Sequence, residues 1–83
     1  MSRVRIVPTG AAAEYFGGSG EEFDAEAGNL FQLVEVLDAR APGFGDAAGV
    51  QLVFAVNGEV TEDWTAPLPE RAEVLIVTKI SGG

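Results

Sequence analysis

Two residue types that carry much of the chemistry at protein active sites are missing from this sequence, which contains no cysteine and no histidine. The absence of cysteine excludes disulfides, thiolate metal sites, iron–sulfur ligation and a catalytic thiol. The absence of histidine leaves no side chain with an unperturbed pKa near neutrality, and it removes the commonest ligand of zinc and copper. The groups that remain for chemistry are carboxylates, hydroxyls, a single lysine and the C-terminal carboxylate.

Basic residues are also few, since 5 Lys and Arg stand against 13 Asp and Glu and give a formal net charge of −8. Nucleic acid and anionic membrane surfaces are therefore not expected as partners, because both are bound through clustered Lys and Arg. The acidic charge has two interpretations that the sequence leaves open. It either steers the encounter with a basic docking partner or simply keeps the protein in solution.

Long apolar runs are absent as well, and nothing approaches the roughly 20 apolar residues that a membrane span needs. The stretch Met1–Arg5 does not have the pattern of a signal peptide, so we expect a cytoplasmic protein. A chain of 83 residues with 47% hydrophobic residues suffices for one domain with a single core.

The N-terminal part of the chain has the pattern of two strands that form a hairpin. Apolar and charged residues alternate over 3–7, which is the spacing of a half-buried strand. The segment 11–16 fits either one helical turn or a packed loop, and the glycine-rich 17–20 predicts a turn. Phe23 and Ala25 recur at period two, so the second strand is predicted over 21–26.

A helix is predicted from Leu30 to Arg40 or Ala41, with apolar residues at helical spacing that face a sheet. Asn29 is the expected N-cap, and Gln32 three residues later completes a capping box. Pro42 ends the helix, because the residue before a proline is pushed out of the α region.

The C-terminal half is predicted to contain three strands. We expect a loop over 43–49, a strand over 50–56, a tight Asn57-Gly58 turn, a short return strand at 59–60, an irregular crossover over 61–71 and a nearly continuous apolar strand over 73–80. One helix packed over a mixed sheet of four to five strands is an α+β β-grasp (ubiquitin-like) fold. The domain is predicted to span 1–80, followed by a flexible tail over 81–83.

The sequence ends in Ser81-Gly82-Gly83, and this ending has two interpretations. Two glycines either form a frayed end or form an arm that carries the terminal carboxylate into the active site of a partner. Glycine has no Cβ, so such an arm enters a narrow channel. This property favours the functional interpretation.

Several motifs resemble, in their order, the sulfur-carrier family that includes the molybdopterin synthase small subunit and the thiamin-pathway sulfur carrier. They are Arg40-Ala41-Pro42-Gly43, Phe54-Ala55-Val56-Asn57-Gly58-Glu59, Pro67-Leu68 before Glu73-Val74, and Ile80-Ser81-Gly82-Gly83. The resemblance covers nearly the whole chain. It implies a β-grasp carrier whose Gly83 carboxylate is adenylated with ATP by a ubiquitin-activating-type enzyme and then becomes a thiocarboxylate that donates sulfur.

In this interpretation Ser81, Gly82 and Gly83 enter the partner, Gly83 is modified, and the carrier is not an enzyme. It binds no cofactor or metal of its own, because ATP belongs to the activating partner, and a larger synthase subunit is a possible second partner. The length favours the molybdopterin branch over the shorter thiamin branch. Two departures from the family, the tail Thr78–Gly83 without its usual prolines and Glu70–Glu73 in place of a glycine-acid turn, leave the pathway open.

Two other functions stay open. One is a ubiquitin-like modifier whose Gly83 forms an isopeptide bond with target lysines, and the other is a β-grasp interaction module with an inert tail. For a partner-binding protein, we expect the partner's surface to be apolar at its centre, with basic residues around it, and to face the exposed side of the last strands.

Three further features have a structural and a functional interpretation. Trp64 is either a partner anchor or, as we expect, a side chain folded over the sheet edge. Lys79, the single lysine, is expected to be a solvated strand residue. The acidic run Glu21–Glu26 has the ligands of a hard cation, but strand alternation is expected to divide its carboxylates between two faces, so we predict a solvated surface.

Overall fold

The computed structural model describes residues 2–79 of the chain, which form five strands and one main helix. The predicted order β-β-α-β-β-β is confirmed. The elements are β1 (Ser2–Pro8), a 3₁₀ helix (Gly10–Phe16), β2 (Phe23–Ala27), α1 (Leu30–Arg40), a short α2 (Phe44–Ala47), β3 (Leu52–Val56), β4 (Glu59–Thr61) and β5 (Glu73–Thr78).

The strands form one mixed sheet in the order β2-β1-β5-β3-β4. The central pair β1 and β5 is parallel, with Ile6 opposite Val74, and every other pair is antiparallel. The parallel pair requires a crossover, and the segment between β1 and β5 supplies it through α1, which packs on one face of the sheet. The predicted β-grasp fold is confirmed.

Helix α1 begins where the sequence predicts. The Asn29 side chain accepts a hydrogen bond from Gln32 N at 2.9 Å, as an N-cap does. Gln32 Oε1 in turn accepts from Gly28 N at 2.7 Å, so the return bond of the capping box reaches one residue further upstream than the motif predicts. Leu30, Leu33 and Leu37 are buried against the sheet, and each contributes about 1.5–3 kcal/mol through its removal from water.

The core lies between α1 and one face of the sheet, and among the described residues it contains no buried polar or charged side chain. Its largest fully buried members include Phe44, Phe54, Ile6, Leu33 and Ile76. The rings of Phe44 and Phe54 lie 6.3 Å apart in a tilted arrangement that links α2 to β3.

The expectation of a loop over 43–49 is wrong, because α2 lies within it. Gly43 adopts φ 99°, and Asp38 Oδ1 accepts hydrogen bonds from Gly43 N at 3.2 Å and from Gly45 N at 2.8 Å. This arrangement starts a single helical turn that places Phe44 in the core. Three glycines hide so short a helix from any periodicity in the sequence.

Strand ends also differ from the prediction. β2 begins at Phe23, and β3 begins at Leu52 because Val50 N and Gln51 N both donate to Ala47 O instead of joining the sheet. The ambiguous segment 11–16 lies in the 3₁₀ helix.

The Asn57-Gly58 turn is confirmed, with φ 50° and 87° at its two residues. Asn57 also fixes the turn against the start of β5. Its N–H donates to Glu73 O at 2.8 Å, and its side-chain oxygen accepts from Glu73 N at 3.0 Å.

Candidate functional site

The face of the sheet opposite α1 carries the candidate site, because no described helix lies on it. Alternation along the central strand β5 decides which residues face which way: Val74 and Ile76 are buried under the helix, while Leu75 and Val77 are half-buried on the opposite side. This uncovered face has two halves of different chemistry.

One half, at the start of β5 and on β2, is made of ion pairs. Arg5 Nε lies 3.1 Å from Glu22 Oε1 and its Nη2 lies 2.7 Å from Glu73 Oε2, while Arg3 Nη2 lies 3.4 Å from Asp24 Oδ2. The hydrogen bond to Glu73 is the main cause that raises the pKa of Arg5, followed by the charge of Glu22. All of these side chains are substantially exposed, so the pairs contribute little to stability.

Glu21 and Glu22 precede β2, so the expected division of the acidic run between two faces stays a prediction, whereas the predicted solvent exposure of its carboxylates is confirmed. Asp24 and Glu26 lie opposite Arg5 and Arg3 and share the uncovered face, while Phe23 and Ala25 take the core side. Within residues 2–79 no group of three or more acidic residues is arranged to hold a metal ion. Two carboxylates of the run pair with arginine instead, Glu22 with Arg5 and Asp24 with Arg3.

The other half of the uncovered face is apolar and continuous, and we name it the apolar patch. The register places Leu75 between Val7 and Ala55, and it places Val77 beside Val53 and Val60 beside Ala55. Val60 is 65% exposed. The members of the patch are Val7, Val53, Ala55, Val60, Leu75 and Val77. The side of the last strands that the predicted partner surface faces is therefore apolar in this chain.

The apolar patch lies at the end of the sheet where the chain continues from β5 toward its last residues. Lys79 follows β5 directly, is exposed, and donates its N–H to Gln51 O at 2.7 Å, which fixes it to the start of β3. The predicted solvent exposure of Lys79 is confirmed. Lys79 is not part of the strand, however, because β5 ends at Thr78. The predicted site residues Ser81, Gly82 and Gly83 lie outside the described residues.

Trp64 in the crossover is half-buried and packed, in agreement with the structural interpretation. Its ring lies edge-on to Phe54 of β3 at 5.7 Å and to Phe31 of α1 at 5.3 Å. Trp64 therefore joins the crossover to the core at the edge of the sheet. Among residues 2–79 no helix has the length and apolar character to cross a membrane.

Comparison with known proteins adds a family match to this geometry. The model of the ThiS family matches residues 9–83. No curated protein matches the chain.

Several solved structures share the fold. The putative molybdopterin converting factor subunit 1 from Pyrococcus furiosus is 19% identical with a TM-score of 0.77, and the match covers 96% of this chain and 100% of that one. The small archaeal modifier protein 1 from Methanosarcina acetivorans is 17% identical with a TM-score of 0.82, covering 100% and 98%.

A third similar chain comes from the complex of subunits 1 and 2 of the molybdopterin-converting factor from Helicobacter pylori. It is 17% identical with a TM-score of 0.67, covering 98% of this chain and 99% of that one. At these identities the likeness establishes the fold.

Proposed function

Because the chain belongs to the ThiS family, we propose that it is a sulfur carrier whose Gly83 carboxylate is activated by a partner enzyme and converted to a thiocarboxylate. The observation that carries the proposal is the family match through Gly83, on a fold whose central strand leads from the apolar patch toward that residue.

Activation is needed because a carboxylate is a poor electrophile. In the proposed first step a Gly83 carboxylate oxygen attacks the α-phosphorus of ATP and pyrophosphate leaves, which gives an acyl adenylate. In the second step hydrosulfide (HS⁻) supplied by the partner system attacks the acyl carbon, AMP leaves with the bonding electron pair, and loss of the S–H proton to solvent gives the thiocarboxylate. Sulfur delivered in this way stays attached to the protein and does not diffuse away.

The proposed carrier leaves catalysis to its partners. Its sequence contains neither histidine nor cysteine, so the groups that transfer protons or sulfur come from elsewhere. Members of the family are small carrier proteins that are generally not catalytic, and the division of labour proposed for this chain follows that pattern.

We propose the apolar patch as the docking face of the ubiquitin-activating-type enzyme. Partner anchors are typically apolar groups at the centre of an interface with a charged rim around them. Here Leu75 lies at the centre of the patch, and the ion pairs of Arg5 border it through Glu73. A net charge of −8 favours a partner with basic residues around its docking site.

The proposed acceptor pathway is molybdopterin synthesis, with a larger synthase subunit as second partner. Support comes from the Pyrococcus and Helicobacter structures, whose names place them in molybdopterin conversion, and the latter is a complex of two subunits. The thiamin pathway is the alternative within the family. Protein modification is the second candidate function, favoured by the likeness to the archaeal modifier protein.

Deletion of Gly83 tests the carrier proposal. The shortened chain is expected to melt like the wild type, because the buried core that stabilises the fold is built from residues 4–76. Its adenylation by the cognate enzyme with ATP is expected to be abolished, because its carboxylate lies about 3.3–3.6 Å short of the reaction position. Gly82→Val is expected to impair adenylation by adding a branched side chain.

The wild type and the deletion form a matched pair, because both chains end in a glycine carboxylate and have the same net charge. Normal melting together with wild-type adenylation of the deleted chain would overturn the proposal and favour an inert tail.

A further inference from the structure

A groove of about 300 Å³ lies where the chain leaves β4 and diverges from β3. β4 pairs only with residues 54–56 of β3, so Leu52 and Val53 have no β4 residue beside them. The groove, which we name the Trp64 groove, is lined by Gly49, Leu52, Val53, Glu62, Trp64 and Lys79, together with Thr61.

The Trp64 groove offers side chains and not an open strand edge. The Ala48-Gly49 turn covers the backbone of Leu52, since Ala48 forms a β-bridge with Leu52 and Gly49 N donates to Leu52 O at 2.8 Å. An added β-strand therefore lacks the backbone partner it needs at this position. The groove fits a single long side chain better than an extended segment.

The indole of Trp64 forms a fixed wall of the groove. Besides its edge-on contacts with Phe54 and Phe31, it lies against Gly49, where a Cβ would approach the ring to 3.1 Å. Gly49 also has φ 81°, which side chains rarely adopt. Glycine is therefore required at this position both by the backbone conformation and by the close approach of the Trp64 ring. The ring is thus held from three sides and remains half-buried, which makes it a preorganised aromatic surface.

The charged side chains beside this wall sum to a negative charge, because Lys79 on the groove wall contributes one positive charge and Glu62, Glu59 and Asp63 contribute three negative charges. Glu62 is exposed and, within the part of the chain that the structure describes, forms no ion pair, since the ion pairs there involve Arg3 and Arg5. Glu59 and Asp63 add carboxylates to the same stretch. The hydrogen bonds that Asp63 accepts from the hydroxyl and the backbone N–H of Thr65 lower the pKa of this carboxyl.

We propose that the Trp64 groove binds an arginine side chain of a partner protein. A guanidinium stacks on an indole face, its aliphatic stem covers the half-buried Val53, and its forked N–H groups donate to a carboxylate such as Glu62. Lysine fits less well, because a compact, strongly hydrated ammonium neither stacks nor donates in a fork.

The Trp64 groove adjoins the apolar patch, so a bound arginine would contribute to partner docking. Val53 belongs both to the groove and to the apolar patch, and Lys79 lies at the groove wall just before the chain continues to Gly83. An arginine bound in the groove holds a docked partner next to Lys79, four residues before Gly83 in the sequence. This use rests on the proposed function, whereas arginine binding itself does not.

The test is a titration of the full ¹⁵N-labelled chain with the blocked tripeptide Gly-Arg-Gly. Trp64 is the single tryptophan, so its indole N–H signal and its fluorescence report on the groove without ambiguity. We expect a saturable shift with a Kd of about 1 mM. The peptide with citrulline in place of arginine, which has the same shape but no charge, is expected to bind about tenfold more weakly.

Two variants of equal charge decide where the peptide binds. Glu62→Gln removes the carboxylate in the groove, and Glu59→Gln removes an exposed carboxylate of the same segment that does not line it. We expect a loss of affinity of about fivefold or more for Glu62→Gln and less than about twofold for Glu59→Gln.

The proposal is overturned by any of three results: an unchanged Trp64 signal, equal binding of the arginine and citrulline peptides, or equal losses in the two variants. No adenylating enzyme takes part in this titration, so its failure is distinguishable from failure of the carrier proposal.

Discussion

The two faces of the sheet are built from alternate residues of the same strands, yet they differ in almost every physical property. On the covered face Val74 and Ile76 of β5 are fully buried against α1, without a buried polar side chain in the described part of the chain. On the uncovered face Leu75 and Val77 border water beside the ion pairs of Arg5. The covered face therefore provides the free energy of folding, and the uncovered face is available for binding.

The largest effect on folding is expected from truncation on the covered face. Phe54 is fully buried and contacts the rings of Phe44 and Trp64, so Phe54→Ala leaves a cavity and is expected to cost about 3–5 kcal/mol of unfolding free energy. Thermal melting is expected to shift downward by more than about 12 °C.

Val60→Ala is the control on the uncovered face, because Val60 is 65% exposed. Its expected change lies within about 0.5 kcal/mol. Equal destabilisation by the two variants would contradict the assignment of stability to the covered face.

The second effect is expected mainly on partner binding. Leu75→Asp places a charge at the centre of the apolar patch and removes a half-buried leucine, so we expect it to cost about 1–2 kcal/mol of unfolding free energy, less than Phe54→Ala. Affinity for the activating enzyme is expected to fall by about 30-fold or more, the loss typical of a central interface anchor.

Isothermal titration with the cognate enzyme measures this loss, and Glu26→Gln on β2 serves as a control that changes charge on the same face away from the patch. Undiminished affinity of a folded Leu75→Asp protein would remove the apolar patch as the docking face.

The smallest effect on stability is expected from a substitution in the ion-paired half of the uncovered face. Arg5→Gln removes the contacts with Glu22 and Glu73, but these groups are exposed and screened by water. We expect a change in melting temperature below about 3 °C. The change is expected to shrink further at about 0.5 M salt, since the screening length is then only a few ångström. A large change that persists in high salt would show that this half stabilises the fold.

Local signals explain why so much of the fold is predictable from the sequence. Some signals act over only a few residues and can be recognised without knowledge of the tertiary structure. They are the Asn29 cap, the Asn57-Gly58 turn and the apolar alternation of 3–7. Their order along the chain suffices for the β-grasp topology. The terminal site stays a prediction, because Ser81, Gly82 and Gly83 lie outside the described residues.

Long-range geometry explains what the sequence does not reveal. Arg5 bonds to Glu73, 68 residues away, and only the parallel register of β1 and β5 brings them together. Helix α2 depends on the hydrogen bonds that Asp38 accepts from Gly43 N and Gly45 N, and the Trp64 groove depends on how β4 leaves β3. None of these has a periodic signature, although Trp64 directly after Glu62 and Asp63 gives a weak signal for the groove.

Intact-mass analysis of the protein purified from its own cells tests the central claim most directly. The carrier account predicts a fraction in which one oxygen is replaced by sulfur, localised by fragmentation to Gly83 and missing from the Gly83-deleted protein. A protein found only with its carboxylate unmodified under conditions in which the cofactor pathway is active, or found only as conjugates to other proteins, would contradict it.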